Sequence, residues 1–382
     1  MKVLIIGSGG REHAIAWKLS SENNVKKIYC APGNAGIADV AQCLNIDDSD
    51  IDSLVKFAKE NNIDLTIVGP EVPLVNGVVD EFEKENLRIF GPNQKCSQLE
   101  GSKAFCKDFM VRHEIPTAKY KEYTDLEKAI NEIDRFGYPV VIKADGLASG
   151  KGVVISQNRE DAISTLREIM EDKRFGTAGD KIVVEEFLKG IETSILAFVD
   201  NDTIVPMVSA KDHKKVFNNE KGANTGGMGT FSPSEIYTNE LAEEIRVNVL
   251  QKTLEGFKKD NLNYKGILFV GLMITNEGAK VLEYNVRFGD PETQSVLFRL
   301  ESNLSQIMDS IIDNNLKNID IKYSEEEAVC VMLTSGGYPE VYEKGKIITG
   351  LDKLDKDIVV FHSGTKLADN NLVTNGGRVI GI

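Results

Sequence analysis

The sequence predicts a multidomain protein of mixed α/β and α+β class, with a parallel N-terminal sheet and a small β-rich C-terminal domain. Three observations carry this expectation. Over the first hundred residues, short apolar runs alternate with helical patterns, and each run ends in Gly, Pro or Asn, as in a parallel, helix-covered sheet. Near Gly101 the pattern changes to closely spaced strand-like segments with fewer helices between them. From Ala328 onward short strands are separated by the turns Ser335-Gly336-Gly337-Tyr338-Pro339 and Asn375-Gly376-Gly377. A chain of 382 residues is long enough for about two to three domains.

Val3 to Ile6 reads as a buried strand, followed by Gly7-Ser8-Gly9-Gly10 and a helix from Arg11. Lys27–Cys30, Asp64–Val68 and Leu87–Phe90 are the next strands, ended by Ala31-Pro32-Gly33-Asn34, Gly69-Pro70-Glu71 and Gly91-Pro92-Asn93. Ile51, Leu54, Val55 and Ala58 recur at helical spacing between them. The strand-end loops then share one edge of the sheet, where ligands bind in open α/β sheets. Ala104–His113 reads as a helix. Val140–Lys143, Gly152–Ser156, Ile182–Glu186, Ser194–Val199 and Ile204–Ser209 read as strands. Lys211 to Pro233, rich in Gly, Asn, Lys and Ser, is expected to be a long functional loop. An amphipathic helix over Leu241–Phe257 leads to a strand at Ile267–Ile274.

Composition limits the function classes. Hydrophobic residues make up 41% and charged residues 27% of the chain, and the net charge is −14. No basic run stands out, which excludes a general nucleic-acid binder. The five cysteines form no C-x-x-C pair and the four histidines show no metal-ligand spacing, so neither a disulfide framework nor a zinc site is expected. No stretch has the length of a membrane span and the first residues lack a signal-peptide core, so a cytoplasmic location without membrane partners is expected.

The richest stretch is Leu282-Glu283-Tyr284-Asn285-Val286-Arg287-Phe288-Gly289-Asp290-Pro291-Glu292. On a strand, Glu283, Asn285 and Arg287 share one face. Two oxygen donors suit a hard cation that also holds phosphates, and the guanidinium suits a phosphate or carboxylate. A polar face open to water is the competing reading. Lys143 ends the apolar run Val140-Val141-Ile142, where an unpaired ammonium is costly. The loop Asp145-Gly146-Leu147-Ala148-Ser149-Gly150-Lys151-Gly152 resembles a Walker A loop but lacks its Ser/Thr and lies between strands. A phosphate there would be gripped by a hairpin lid.

Val183-Val184-Glu185-Glu186-Phe187-Leu188 is an apolar strand ending in acids. The acids are either solvated or part of an adenine pocket, with main-chain groups of Glu186–Leu188 on the base and Glu192 on the ribose. Lys211-Asp212-His213-Lys214-Lys215 and Asn224-Thr225-Gly226-Gly227-Met228-Gly229 allow close backbone approach to an anion. Gly7-Ser8-Gly9-Gly10-Arg11-Glu12 starts like a dinucleotide fingerprint. Glu12 replaces its last glycine, and the second strand ends without the ribose-binding acid, which argues against NAD. The glycines would still let N–H groups meet an anion at the helix start.

Taken together, these segments resemble the ATP-grasp superfamily. Within it, Leu99-Glu100-Gly101-Ser102-Lys103-Ala104-Phe105, the Lys143–Gly152 segment, Asn224–Gly229, Arg287–Glu292, Gly9-Gly10-Arg11-Glu12-His13-Ala14, Pro32-Gly33-Asn34 and Gly69-Pro70-Glu71 are similar to the phosphoribosylamine–glycine ligase family. The resemblance spans residues 1 to 382. It implies a Rossmann-like substrate domain (1–101), an ATP-grasp domain (102–320, with a lid at about 117–190) and a β-rich C-terminal domain (325–382). The implied enzyme couples glycine and 5-phosphoribosylamine with ATP, through glycyl phosphate, in purine synthesis. It would be a monomer using Mg²⁺ or Mn²⁺ and small-molecule substrates.

By the same resemblance, Glu283 and Asn285 hold the metal. Lys103, Lys143, Ser149, Gly150, Lys151, Gly152, Glu185, Glu186, Phe187, Leu188 and Glu192 bind ATP. Arg287, Asp290 and Lys143 serve the chemistry. Gly10, Arg11, Asn34, Glu71, Asp212, Lys214, Asn224, Thr225, Gly226, Gly227, Gly289 and Arg378, with Arg287 and Asp290, meet the other substrates. Ile191, Lys211 and Lys215 depart from the family pattern. The chain stops at Ile382 inside a strand pattern, where the family continues through a terminal helix. Competing readings are an ATP-grasp carboxylase, a non-catalytic nucleotide-binding regulator and a dehydrogenase.

Overall fold

The computed structural model describes residues 1–147, 152–219 and 221–382. The N-terminal strands form a five-stranded parallel sheet in the order Gln42–Cys43, Lys27–Pro32, Lys2–Gly7, Leu65–Val68, Ile89–Phe90. Four of these were expected. Gln42–Cys43 is two residues long and half polar, too short to carry a period. Val3 and Ile5 enter one hydrophobic core and Leu4 and Ile6 another, so the central strand is buried on both faces, as parallel sheets require. The strand order reverses between Lys2–Gly7 and Leu65–Val68, and a crevice opens there at the carboxyl ends, by Gly7 and Gly69.

A second, antiparallel sheet runs in the order Ile204–Pro206, Ile191–Val199, Gly266–Thr275, Gly278–Asn285. Its residues share both cores with the first sheet. The strand expected to carry Glu283, Asn285 and Arg287 ends at Asn285, because the chain turns away toward Gly289-Asp290-Pro291. A β-bulge at Leu282 shifts the register between Gly271↔Glu283 and Leu272↔Val281. Bulges of this kind re-aim side chains beside active sites. The helix expected over Leu241–Phe257 runs as Asn239–Ile245, a π-helical turn Arg246–Gln251 and Lys252–Lys259.

The lid is a four-stranded antiparallel sheet in the order Tyr120–Tyr123, Ile182–Glu186, Val140–Ala144, Val153–Ser156. Helices Leu126–Glu132 and Arg159–Met170 pack on it, and it has a separate core around Ile142, Leu166 and Val184. The expected long loop 211–233 is largely short strands. Lys215–Phe217 pairs with Lys221–Asn224, while Lys211–Asp212 and Gly229–Ser232 join the C-terminal sheet, in the order Lys211–Asp212, Gly229–Ser232, Ala328–Thr334, Arg378–Gly381, Phe361–His362. Gly229–Ser232 finds its partner in Ala328–Thr334, about a hundred residues away, which no local pattern announces.

Candidate active site

The glycine loop after the first strand is filled by its own acid. Glu12 is buried and accepts from Gly9 N at 2.5 Å and Arg11 Nε at 2.7 Å. A Cβ on Gly69 would lie 2.0 Å from Glu12 Oε1, and one on Gly7 2.7 Å from Glu12 Cγ. The anion expected at this helix start is therefore the Glu12 carboxylate, which occupies the approach a dinucleotide pyrophosphate would need. Arg11 donates to Phe288 O at 3.0 Å, joining the loop to the Arg287 turn. The Asn34 amide donates to Ser8 O and His362 O, both at 2.8 Å, and its Oδ1 accepts from Gly36 N and Ile37 N. All its side-chain hydrogen-bonding capacity is committed, so Asn34 shapes this crevice by clamping three segments. Gly10 leaves room for Ser363 Oγ and Gln294 Nε2, which a Cβ there would meet at 2.4 and 2.7 Å.

Between the lid and the long antiparallel sheet stands a wall of paired charges. Lys103 Nζ lies 3.3 Å from Glu283 Oε2, and Lys143 Nζ lies 2.9 Å from Glu185 Oε1 and 3.2 Å from Leu282 O, the carbonyl of the bulge. Lys103, above all, with Lys214 and Lys143, holds the Glu283 carboxyl far below the usual range against the cost of burial. Lys214 donates to Glu192; burial works against its ammonium, but Glu192, Glu283 and Asp212 together outweigh burial and hold it above the usual lysine range. Glu186 accepts from Lys119 N at 2.9 Å. Among the described residues no partner takes the main-chain groups of Phe187 or Leu188, which leaves them available to a base edge. Gly152 O accepts from Ala144 N at 2.9 Å. Ser149, Gly150 and Lys151 lie outside the described residues.

Arg287 joins this wall to the N-terminal crevice. Its guanidinium lies 3.0 Å from Glu100 Oε1, 3.4 Å from Glu71 Oε2 and 3.5 Å from Asn285 Oδ1. Burial disfavours the Glu71 carboxylate, but Arg287 and Arg11 outweigh it and hold its pKa down. Asp290 is in the same balance: burial opposes its ionisation, and Arg378 and Arg11 keep it ionised. Its Oδ2 lies 3.2 Å from Arg378, and its Oδ1 accepts from Gln294 at 2.9 Å. Arg378 also donates to Gly226 O and Asp290 O, each at 2.7 Å, so it clamps the Gly226 loop to the Asp290 turn.

Asp212 lies beside Gly227, where a Cβ would come within 2.7 Å of its Oδ1, an oxygen that is buried and without a hydrogen-bond partner. Burial, then the nearby Glu292 carboxylate, push Asp212 well above the ordinary range. Burial likewise raises Glu292, which accepts weakly from Ser194 Oγ at 3.4 Å. Gly289 makes room for Glu292 Oε2, 2.5 Å from where its Cβ would stand. The Thr225 hydroxyl is used internally, by Lys214 O and Gly227 N. Asn224 is exposed at the end of its hairpin.

Glu100, Lys107, Asp145, Glu292 and Gln294 also stand at this site and were not among the residues expected there. Four of them lie within or beside segments singled out above. Lys107 had one weak signal, its position one helical turn after Lys103. Asp145 accepts from Ser102 Oγ at 2.9 Å and Ala104 N at 3.1 Å, fastening the lid to the start of helix Lys103–Arg112.

The donor set fits a hard divalent cation. Glu283 supplies an ionised carboxylate and Asn285 an amide oxygen whose one hydrogen bond among the described residues is the long one from Arg287. Among the described residues no group of three or more His, Cys, Asp or Glu side chains could hold a metal unaided. Two protein oxygens completed by phosphates and water are what Mg²⁺ ordinarily accepts.

The likeness to known proteins runs over the whole chain. Residues 1–100, 101–293 and 328–382 match the N, ATP-grasp (A) and C domains of phosphoribosylglycinamide synthetase. A phosphoribosylamine–glycine ligase from Fusobacterium nucleatum is 50% identical over 385 residues, covering 100% of this chain and 90% of that protein. A trifunctional purine biosynthetic protein from Gallus gallus is 48% identical across 99% of this chain and 38% of its own length. The crystal structure of a phosphoribosylamine–glycine ligase from Thermotoga maritima matches with a TM-score of 0.83 and 32% identity, over 100% of this chain and 91% of that one. The biotin carboxylase domain of a 2-oxoglutarate carboxylase from Hydrogenobacter thermophilus, at 16% identity and a TM-score of 0.74 over 98% and 86% of the two chains, shares the fold. The chain belongs to the phosphoribosylglycinamide synthetase family.

Proposed function

We propose that this chain joins glycine to 5-phosphoribosylamine, converting ATP to ADP and phosphate and forming glycinamide ribonucleotide by way of glycyl phosphate. The observation that carries the reading is the convergence of Glu283, Asn285, Lys103 and Lys143 on one wall, next to Arg287 and the Asp212–Glu292 pair. Phosphoryl transfer needs positioning and charge neutralisation more than a protein nucleophile.

In this reading Lys103, Lys143 and the Ser149–Gly152 loop hold the ATP phosphates. Glu185 orients Lys143, the main chain of Glu186, Phe187 and Leu188 meets the adenine, and Glu192 meets the ribose. Glu283 and Asn285 would hold Mg²⁺ or Mn²⁺, which supplies charge neutralisation on the phosphates. Arg287 faces the glycine carboxylate as it accepts the phosphoryl group, kept in place by Glu71 and Glu100. Asp212, with Lys214 alongside, receives the glycine ammonium, and Gly227 and Gly289 leave room for the Asp212 and Glu292 carboxylates. Gly10, Arg11, Asn34, Asn224, Thr225, Gly226, Asp290 and Arg378 line or shape the place of phosphoribosylamine, whose amine attacks the acyl carbon as phosphate leaves. Lid closure would exclude water from the acyl phosphate. All these groups belong to one chain, so a monomer suffices, working in the cytoplasm.

The test is ADP release with glycine, ribose 5-phosphate and ammonia, which form the amine in place, omitting each in turn. Turnover that requires all of them supports the reading; turnover without glycine, or turnover that requires bicarbonate, rejects it.

A further inference from the structure

Lys107 is as deeply buried as the chain's core phenylalanines, with 2% of its surface exposed. It extends from helix Lys103–Arg112 into the root of the lid. Its ammonium donates to Thr117 Oγ1 at 2.7 Å and Ala118 O at 3.3 Å, and is ion-paired with Glu185 Oε2 at 3.1 Å. The Tyr120 ring lies 5.7 Å from Nζ. These partners and the 2% exposure keep the ammonium away from any substrate.

Glu185 is shared. Its other oxygen, Oε1, lies 2.9 Å from Lys143 Nζ. Strand register explains the geometry: Glu185 stands opposite Val141 and opposite Tyr120. Lys143, two residues beyond Val141, shares that face and meets Glu185 on the diagonal. Thr117 makes a second link, for its hydroxyl donates to Val281 O at 2.6 Å, and Val281 N donates to Pro116 O at 2.7 Å. Val281 precedes the bulge that aims Glu283. One ammonium thus connects a lid strand, the point where the chain enters the lid, and the strand carrying the two oxygen donors.

We propose that Lys107 is a positioning residue for the triphosphate: through Glu185 it fixes Lys143, and through Thr117 it sets the lid against the strand of Glu283 and Asn285. The inference rests on the ATP-dependent reading above. The network carries two ammonium groups and one carboxylate. One carboxylate therefore serves both ammonium groups, and in the proposed reading Lys143 is the one that meets the phosphates. Burial, and to a lesser degree the repulsion of Lys143, press the Lys107 pKa down, with Glu185 opposing.

The experiment compares Lys107→Met, of similar length and without charge, with Thr117→Val, which removes only the hydroxyl. Apparent KM for ATP, glycine and phosphoribosylamine, and kcat, are measured in the full chain, with circular dichroism to show that each variant is folded. K107M is expected to raise the ATP KM about tenfold and lower kcat by a similar factor, leaving the glycine KM within about twofold; T117V moves the ATP KM the same way by about threefold. A role in stability alone would lower the melting temperature without separating ATP from glycine. Unchanged ATP KM and kcat in folded K107M overturn the proposal. If K107M does not fold, T117V decides: an ATP KM equal to that of the unsubstituted chain overturns it, and a selective rise supports it. A parent chain without ATP-dependent turnover would instead reject the underlying activity, so the two failures are distinguishable.

Discussion

Acid is expected to loosen the joint between the first helix and the C-terminal domain, because His13 must stay neutral to hold it. His13 lies in helix Gly10–Ser20 and is 6% exposed. Its Nδ1 accepts from His362 N at 2.8 Å, so the neutral ring carries its proton on Nε2. Its ring packs edge-on against Phe361, with centroids 5.8 Å apart. Burial, and then the nearby His362, push the imidazole down from 6.5 to about 3. A folded-state pKa below the unfolded value gives stability that is present above pH 6.5 and lost as pH falls toward 3. At pH 5 the exposed ring is 1.5 units below its midpoint, and at 1.36 kcal/mol per unit the joint loses about 2 kcal/mol relative to pH 8. That corresponds to a roughly 30-fold rise in local opening.

The assay is hydrogen exchange of the backbone around His362 at pH 8 and pH 5, corrected for the intrinsic exchange rate. The comparison is His13→Asn, whose amide oxygen can replace Nδ1 as acceptor but does not titrate. His362 titrates in both proteins, so the difference isolates His13. The unsubstituted chain should lose roughly 30-fold more protection than H13N. Equal losses would refute the reasoning. Because this joint carries the strand of Arg378, activity of the unsubstituted chain should decline over the same interval.

Three further outcomes are expected. Glu283→Gln removes the ionised donor and the partner of Lys103, and should lower kcat by at least about 100-fold while the melting temperature stays within a few degrees. Glu100→Gln breaks the buried pair with Arg287; since Glu71 still faces the guanidinium, urea titration should show a loss near the lower end for such pairs, about 3 kcal/mol. The raised pKa of Asp212 means that its carboxylate is neutralised at a higher pH than an ordinary aspartate. The glycine KM should therefore rise on acidification from pH 8 to 5. Asp212→Asn should remove that dependence and raise the glycine KM at pH 8 by roughly 10-fold or more, the worth of a charge-assisted hydrogen bond.

Much of the site could be read from the sequence because its residues break local rules. Lys143 stands out as an ammonium at the end of an apolar strand, and the structure pairs it with Glu185. Glu12 stands out where a glycine was due, and its carboxylate fills the loop. Lys107 breaks no such rule, since a lysine on a helix is ordinarily solvated. Its burial depends on Thr117 and Glu185, which lie on other elements. The same limit applies to Lys211–Asp212 and Gly229–Ser232. Gly229–Ser232 takes its strand character from pairing with Ala328–Thr334, and Lys211–Asp212 from pairing with Gly229–Ser232 in turn; a segment rich in Gly and Lys has little strand propensity of its own.

The arrangement also explains how an acidic chain can receive a triphosphate. Lys103 rests on Glu283, Lys143 on Glu185 and Lys214 on Glu192. An unpaired cation in such a partly buried wall would be costly. In the proposed reading, two of these carboxylates have other duties once nucleotide arrives, Glu283 to the divalent ion and Glu192 to the ribose. Binding the metal with ATP then exchanges partners: the carboxylates take the cation and the hydroxyls, and Lys103 and Lys214 are released toward anionic oxygens. Glu185 is the exception. Lys107 holds it from behind, so the pair with Lys143 remains while the other two open. Nucleotide without the divalent ion would leave Glu283 facing the phosphates with Lys103 still bound to it, so ATP affinity should depend on metal more strongly in the unsubstituted chain than in Glu283→Gln.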